Sequence, residues 1–362
     1  MRAIETCRTA ELGGQLEQCE RCGAQVLRFH SCRNRHCPKC QTLAKERWVQ
    51  ARCAELLPVP YFHLVFTLPH ALNPLAQGNP QTVYRLLFQA AAETLQAFGR
   101  DPKWLGGALG ITMVLHTWGQ NLNQHLHVHC LVTGGALSGD GERWIAAKRG
   151  FLFPVRALSK VFRSKYLDAL SQAFERGELR FAGQTLAPPK AFALLLAKLR
   201  AEDWVVYSKR PFAGPEQVVA YLGRYTHRVA ISNERLVSFQ DGEVQFCWKD
   251  YAHGNKTKVM ALGAEEFIRR FLLHVLPKSF MRIRHFGLLA NRHRAEYLAH
   301  ARRALDAPPP LPAPTETAEA FLSRVMGLDA RLCPHCHQGR LRLIACLPPT
   351  PKATGPPLPW AA

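Results

Sequence analysis

The segment 125–135, HLHVHCLVTGG, constrains the fold more than any other, because histidines alternate in it with apolar residues. A period of two is typical of a β-strand whose two faces meet different surroundings. The imidazoles of His125, His127 and His129 would share one face of this strand. A core gains nothing from three buried imidazoles, since burying them unpaired costs free energy. The pattern therefore predicts a strand that binds a divalent metal ion.

The residues just before this strand could complete such a site. The candidate third ligands are His116, Gln120, Asn123 and Gln124. Two imidazoles with an amide oxygen form an open site with mixed nitrogen and oxygen ligands. That set suits Mg²⁺ or Mn²⁺ acting as a Lewis acid on a phosphate better than it suits closed structural zinc.

The charge of the chain favours a polyanionic partner. Lys and Arg number 47 against 27 Asp and Glu, a net charge of +20, and the segment 281–303 carries Arg282, Arg284 and four more arginines against one acid. Nucleic acid is the commonest partner for such a surface. The chain has no run of 18 apolar residues and no apolar signal-peptide region at its N-terminus, so we expect a cytoplasmic, nucleoid-associated protein without membrane contact.

The grouped cysteines predict zinc, because reducing compartments disfavour disulfides. Two CxxC pairs lie fourteen residues apart, a spacing typical of a zinc ribbon with Cys19, Cys22, Cys37 and Cys40 as its ligands. The basic residues among them, Arg33, Arg35 and Lys39, suggest DNA contact. A third pair, Cys333 and Cys336, is a candidate for a second zinc ion.

The order of elements predicts an α+β fold with a central antiparallel sheet. Strands are expected at 61–69, 109–119, 125–135 and 203–211, and helices at 80–99, 159–177, 189–202, 215–230 and 263–277. Asp241-Gly242 between two alternating runs predicts a hairpin. The expected domains are a zinc ribbon at 1–57, a catalytic domain at 58–304, a Pro-rich linker at 305–316, and a Cys/His segment with a Pro-rich tail at 317–362.

The predicted helix 215–230 carries two tyrosines, Tyr221 and Tyr225, whose spacing places both hydroxyls on one face. Arg224 and Arg228 form a second such pair beside them. A tyrosine attacks a phosphodiester as a covalent nucleophile when a metal ion or a cation stabilises its phenolate. Taken alone, two helical tyrosines are more often core residues.

Together these segments resemble a known family. His127-Val128-His129 resembles the His-hydrophobic-His (HUH) motif of rolling-circle nucleases, and the tyrosine pair resembles their two-tyrosine subclass. Four segments are similar in sequence to insertion-sequence transposases of the IS-ninety-one type: HTWGQNLNQHLHVHCLVTGG, AYLGRYTHRVAISN, RIRHFGLLANR and SCRNRHCPKCQ. Four segments in the family's order make this resemblance specific over residues 15–295.

The resemblance implies a metal-dependent DNA nickase and strand transferase with a ferredoxin/RRM-like sheet. His127 and His129 would bind the Mg²⁺ or Mn²⁺ ion with Gln120 as third ligand, while His125 and His116 would support them. Tyr221 and Tyr225 would form 5′-phosphotyrosine bonds to single-stranded DNA at element ends and targets. The basic residues Arg224, Arg228, Arg33, Arg35, Lys39, Arg282 and Arg284 would contact the DNA.

Two alternatives stay open at this point. A zinc-ribbon regulator could bind nucleic acid without catalysis, its histidines holding a structural ion. A plasmid rolling-circle replication initiator would use the same chemistry as a transposase. The chain has no GxxxxGK[ST] motif, so DNA unwinding is expected from host replication and helicase proteins.

Overall fold

The structure is a computed structural model that describes residues 2–37, 39–148, 150–181, 186–209, 217, 219, 223, 230–309, 316–327 and 329–350. It divides into two compact units, one made of 1–47 with 314–362 and one made of 48–313. The second unit is therefore inserted in the sequence between two halves of the first. In the described residues, no helix has the length and apolarity needed to cross a membrane.

The first unit is built on a three-stranded antiparallel sheet. Its strands are β1 (Gly14–Cys19), β2 (Gln25–Phe29) and β12 (Leu341–Leu347), in the order β12-β1-β2. Helices α1 (Arg2–Glu5) and α9 (Ala318–Met326) belong to the same unit, and α2 (Thr42–Ala54) begins in it. Since β12 pairs with β1, the C-terminal Cys/His segment is part of the N-terminal unit. The division expected from the sequence treated these two segments as separate domains.

The second unit contains the central sheet, and all its strand pairs are antiparallel. The strand order is β11-β4-β5-β3-β7, with β6 paired to β5. Their bounds are β3 (Tyr61–Thr67), β4 (Gly107–Trp118), β5 (Gln124–Ser138), β6 (Trp144–Ala146), β7 (Val206–Lys209) and β11 (Ile283–Gly287). The predicted α+β class with a central antiparallel sheet is confirmed, and the predicted histidine strand is β5.

The helices of this unit are α3 (Asn73–Gly78), α4 (Pro80–Arg100), α5 (Val155–Glu175), α6 (Pro189–Ala201), α7 (Ala264–Leu272) and α8 (Arg294–Ala304). The main core includes the apolar faces of α4 and α5 and one face of the sheet. The residues of β5 in this core are Leu126, Val128, Cys130, Val132 and Ala136. The histidines alternate with them, so they lie on the opposite face of the sheet.

A second antiparallel sheet in this unit has the order β10-β9-β8, from β8 (Leu236–Gln240), β9 (Glu243–Asp250) and β10 (Lys256–Gly263). The predicted hairpin at Asp241-Gly242 joins β8 to β9. Both turn residues have positive φ, 50° and 76°, which is the backbone that a two-residue type I′ turn requires. The sequence did not predict β10, or β1, β2 and β12 of the first unit. The predicted helix 215–230 lies almost entirely outside the described residues.

Candidate metal centre and cysteine clusters

Three imidazoles from two neighbouring strands come together on the face of the sheet opposite the main core. His127 and His129 project from β5, and His116 from β4. One ring nitrogen from each lies within 4.8 Å of the others, and the Nε2 atoms of His127 and His129 are 3.1 Å apart. All three side chains are buried. Nitrogen atoms at these separations can bind one divalent ion.

A β-bulge places His116 in this group. Further along the ladder toward the turn, Trp118 pairs with Gln124, and a regular register would then pair residue 116 with Leu126 on the apolar face. The register shifts between His116 and Trp118, so His116 pairs with His127 instead. A shift of one residue exchanges the faces of a strand, and this bulge therefore decides which β4 residue joins the cluster.

His127 and His129 are held in the neutral, metal-binding form of histidine. Burial, followed by the charges of neighbouring histidines, lowers the pKa of His129 well below its usual value. Burial likewise lowers the pKa of His127 to about 3. Ligating imidazoles must be unprotonated, so both rings are ready to bind metal at neutral pH.

Gln120 and His125, also proposed from the sequence for this site, make contacts of their own. Gln120 lies in the turn after β4, where its side-chain amide donates to the hydroxyl of Tyr251 at 3.5 Å. His125 is half-buried, its ring centroid is 5.4 Å from that of His70, and its carbonyl oxygen lies 2.9 Å from Nδ1 of His127. The structure thus brings His116 to the two HUH histidines, and the role of Gln120 as a metal ligand stays a prediction.

Sequence reasoning missed His63, which fixes one of these ligands. It lies on β3, and its Nε2 atom is 2.8 Å from Nδ1 of His129. The two rings are nearly parallel, with an interplanar angle of 5°. Burial lowers the pKa of His63 to about 4, so the pair shares a hydrogen bond between neutral rings. The alternation YFHLVFT at 61–67 places His63 on one face, but only strand pairing shows that it is the histidine face.

Side chains from distant elements hold the turn between β4 and β5. Successive carbonyl oxygens, those of Gln120, Asn121 and Leu122, accept hydrogen bonds from Arg235, Arg270 and His274, respectively. Leu122 has a positive φ of 63°, a conformation that costs free energy in a residue with a side chain. These contacts fix the connection between the two strands that carry the histidine cluster.

Eight of the nine cysteines of the first unit form two clusters of four. One contains Cys7, Cys32, Cys37 and Cys40, and the other contains Cys19, Cys22, Cys333 and Cys336. The predicted set of Cys19, Cys22, Cys37 and Cys40 is not brought together, because its two CxxC pairs belong to different clusters. Each pair instead completes a site with cysteines from another part of the chain.

Within the first cluster, the Sγ atom of Cys40 lies 3.2 Å from that of Cys7 and 3.6 Å from that of Cys32. Four thiolates are a ligand set that zinc prefers in structural sites. Arg33 and Lys39 lie in the loop of this cluster and are exposed, while Arg35 is partly buried. These three predicted DNA contacts therefore lie between Cys32 and Cys40, within the segment of a single cysteine cluster.

Family models match both units. A model described as "Transposase zinc-binding domain" of the IS91 type matches residues 1–68, which include the complete first cysteine cluster. A model described as "Putative transposase" matches residues 110–296, including β4 and β5 with the three clustered histidines. The second match spans more than half of the chain.

Two relatives match over nearly the whole chain. "Putative transposase y4qJ" of Sinorhizobium fredii (strain NBRC 101917 / NGR234) is 52% identical over 365 residues, covering 99% of this chain and 91% of that protein. The chain belongs to the IS91-type transposase family. "Transposase for insertion sequence element IS801" of Pseudomonas savastanoi pv. phaseolicola is 30% identical over 335 residues, covering 88% and 77% of the two chains. The family expected from the sequence is thus confirmed.

Among solved structures, the transposase is similar to the conjugative relaxase TrwC complexed with a 27-mer DNA comprising the recognition hairpin and the cleavage site. That match has 13% identity and a TM-score of 0.26, and it covers 67% of this chain and 73% of that chain. A score this low does not establish a shared fold.

The predicted nucleophiles Tyr221 and Tyr225, and the flanking Arg224 and Arg228, lie outside the described residues of the transposase. Val219 is the described residue nearest to them on the N-terminal side. Its side chain is 1% exposed and belongs to a buried cluster that also contains Leu131 of β5. Leu131 is two residues from His129 and lies on the same face of the sheet.

The two predicted DNA contacts near β11 differ in position. Arg284 pairs with Met113 of β4, a core residue, so its side chain lies on the helix-covered face, opposite the histidines. Its guanidinium group stacks 4.6 Å from the ring centre of Phe88 and 5.1 Å from that of Phe280. Arg282 precedes the strand, and its carbonyl oxygen accepts a hydrogen bond from Leu115. Arg284 therefore has a packing role that the charge pattern did not reveal.

Proposed function

We propose that this transposase nicks single-stranded DNA at the ends of an insertion sequence and transfers the strand through a tyrosine-linked intermediate. The observation that carries the proposal is the convergence of His116, His127 and His129 on one buried point in a member of a transposase family. Three buried imidazoles are a metal-binding arrangement, and a core without that function would not collect them.

The residues present fit a divalent ion as ligands. His116, His127 and His129 would hold it. An all-imidazole set favours a divalent transition metal over Mg²⁺, so of the two ions expected from the sequence Mn²⁺ fits better. The bound ion would act as a Lewis acid that polarises the scissile phosphate.

The nucleophile would be Tyr221 or Tyr225. Its phenolic oxygen would bond to phosphorus while the bond from phosphorus to the 3′ oxygen breaks, leaving a free 3′-OH and a 5′-phosphotyrosine. Attack by another 3′-OH on that linkage would release the tyrosine and transfer the strand. The burial of Val219 with Leu131 supports this role, because it brings the chain two residues before Tyr221 to the histidine face of the sheet.

DNA would be held by the positive charge of the chain. A net charge of +20 provides a sequence-independent attraction to phosphates. Arg33 and Lys39 are exposed beside the first cysteine cluster and would contribute to contacts with an element end or target, along with Arg224 and Arg228 near the tyrosines. Unwinding of the donor duplex would come from host replication and helicase proteins.

The test is covalent adduct formation on single-stranded DNA that carries an element end. With the label at the 3′ end of the DNA, the full-length protein and Mn²⁺ should give a labelled protein–DNA species on a denaturing gel. With the label at the 5′ end, the product should be a shorter free strand. Tyr221→Phe and Tyr225→Phe should reduce the adduct singly or together, while Tyr297→Phe, an exposed tyrosine on α8, should not.

The histidine variants test the metal centre. His127→Ala and His116→Ala should each remove the adduct, while Gln120→Ala should retain it. A regulator without catalysis would shift the DNA on a native gel and form no adduct with any label. That outcome, or an adduct that survives in the double tyrosine variant, would overturn the proposal.

A further inference from the structure

The second cysteine cluster draws its members from opposite ends of the chain. Cys19 and Cys22 lie where β1 turns toward β2, and Cys333 and Cys336 lie just before β12. The Sγ atoms of Cys19 and Cys336 are 3.7 Å apart, and those of Cys22 and Cys333 are 3.8 Å apart. Zn–S bonds of about 2.3 Å in a tetrahedron require sulfur–sulfur separations of about 3.8 Å. The measured separations agree with one tetrahedral ion.

Backbone amides point toward these sulfur atoms from both halves. The amides of Arg21 and Cys22 donate to Sγ of Cys19 at 3.4 and 3.5 Å. In the C-terminal half, the amide of His335 lies 3.4 Å from Sγ of Cys333, and that of Gly339 lies 3.3 Å from Sγ of Cys336. Such donors stabilise thiolates, which are the form that binds zinc. Each CxxC pair thus has the local geometry of one half of a zinc site.

Gly339 has no side chain, and this leaves room for Sγ of Cys19 from the N-terminal half of the site. A Cβ atom at this position would overlap Sγ of Cys19 and approach Cβ of Arg21 to 2.8 Å. At the next residue, the backbone amide of Glu20 donates to the carbonyl oxygen of Arg340 at 3.0 Å. The two halves are therefore fitted to each other by backbone contacts as well as by cysteines.

Two disulfides would not explain this arrangement. All four cysteines are free, and their sulfur atoms are much farther apart than the roughly 2.05 Å of a disulfide bond. Four cysteine thiols that meet around one point are typical of a metal site.

We propose that Cys19, Cys22, Cys333 and Cys336 bind one zinc ion that joins the N-terminal and C-terminal segments into one folded unit. The ion is distinct from a zinc ion at Cys7, Cys32, Cys37 and Cys40. It closes a loop of 311 residues, counted from Cys22 to Cys333, and holds β12 against β1. A clip between segments so distant in sequence removes much of the freedom of the unfolded chain.

The first test is the zinc content of the full-length protein, measured by mass spectrometry of the metal. Every sample also carries His127→Ala, so that the histidine cluster does not add zinc to the count, and the chain with no cysteine change should then contain two zinc ions. Cys22→Ser and Cys333→Ser should each leave one, and the protein with both changes should also leave one, because both residues serve the same ion. Cys346→Ser, an exposed cysteine on β12 outside both clusters, should retain two.

A variant with one change in each cysteine cluster distinguishes this arrangement from a zinc ribbon formed by the two N-terminal CxxC pairs. Cys37→Ser together with Cys333→Ser should remove both ions. If the N-terminal CxxC pairs shared one ion instead, Cys333→Ser would leave the zinc content unchanged, and Cys22→Ser and Cys37→Ser would remove the same ion. That result, or a single zinc ion in the chain with no cysteine change, would overturn the proposal.

A second measurement uses the wild-type protein and does not depend on variants folding. Zinc is removed with a chelator, the thiols are oxidised to disulfides, and the digested peptides are identified by mass. Peptides linking Cys19 or Cys22 to Cys333 or Cys336 should dominate. Links from Cys19 or Cys22 to Cys37 or Cys40 would contradict the proposal. Neither measurement involves DNA, so its failure would leave the nicking activity a separate question.

Discussion

Protonation of His274 should destabilise the 48–313 unit in mild acid. The side chain is 1% exposed, and its ring nitrogens contact the hydroxyl of Thr117 at 3.2 Å and the carbonyl of Leu122 at 2.9 Å. Because the carbonyl only accepts, Nε2 must carry the proton and Nδ1 accepts from Thr117. Burial lowers the pKa of His274 to about 4, against 6.5 for the free side chain.

The sign follows from which state binds the proton. The folded pKa lies below the unfolded one, so the unfolded chain takes up the proton first as the pH falls. The contribution of neutral His274 is complete above its unfolded pKa and is lost between about pH 6.5 and pH 4. At about pH 5 the loss relative to about pH 8 is ~2 kcal/mol, since one pKa unit corresponds to about 1.36 kcal/mol.

The assay is urea unfolding followed by tryptophan fluorescence at about pH 8 and about pH 5. Six of the seven tryptophans lie between residues 48 and 313, so the signal reports this unit. His274→Gln cannot titrate, and it should lose ~2 kcal/mol less than the wild type over this range. Other buried histidines titrate equally in both proteins and cancel in the difference.

His293→Gln, which alters an exposed histidine, is the matched control and should follow the wild type. An equal acid loss in the wild type and in His274→Gln would refute the reasoning. It would mean either that the ring is charged in the folded state or that it is accessible to water.

Three further changes test separate parts of the 48–313 unit. His63→Ala removes the hydrogen bond to His129 and should weaken Mn²⁺ binding about 10- to 100-fold, measured by the free-ion paramagnetic resonance signal, whereas His70→Ala should leave it near the wild-type value. Phe162→Ala empties a fully buried position on α5 and should lower the unfolding free energy by about 3–5 kcal/mol in urea; a loss below about 1 kcal/mol would contradict the packing described. Gly242→Ala adds a side chain at φ 76° with open space around it, so backbone strain alone should cost about 1 kcal/mol, and an unchanged midpoint of thermal unfolding would argue against the turn.

Local patterns were enough to predict several elements because their causes are local. The alternation at 125–135 follows from the two faces of a strand, and β5 is observed at Gln124–Ser138. The type I′ turn at Asp241-Gly242 follows from residues that tolerate positive φ. His127 and His129 could be placed on one face from their spacing of two in one strand. The family resemblance depended on the amino-acid sequences of short segments.

Tertiary structure decided which distant residues join these local features. The third histidine could not be chosen from sequence, because a one-residue bulge between β4 and β5 determines whether His116 faces the metal cluster or the core. His63 entered through the pairing of β3 with β5. Zinc ligands are equally undetermined by spacing, since identical CxxC pairs can combine in several ways. The sequence alone established a histidine strand, cysteine knuckles and a positive charge, whereas long-range strand pairing established which of them share a site.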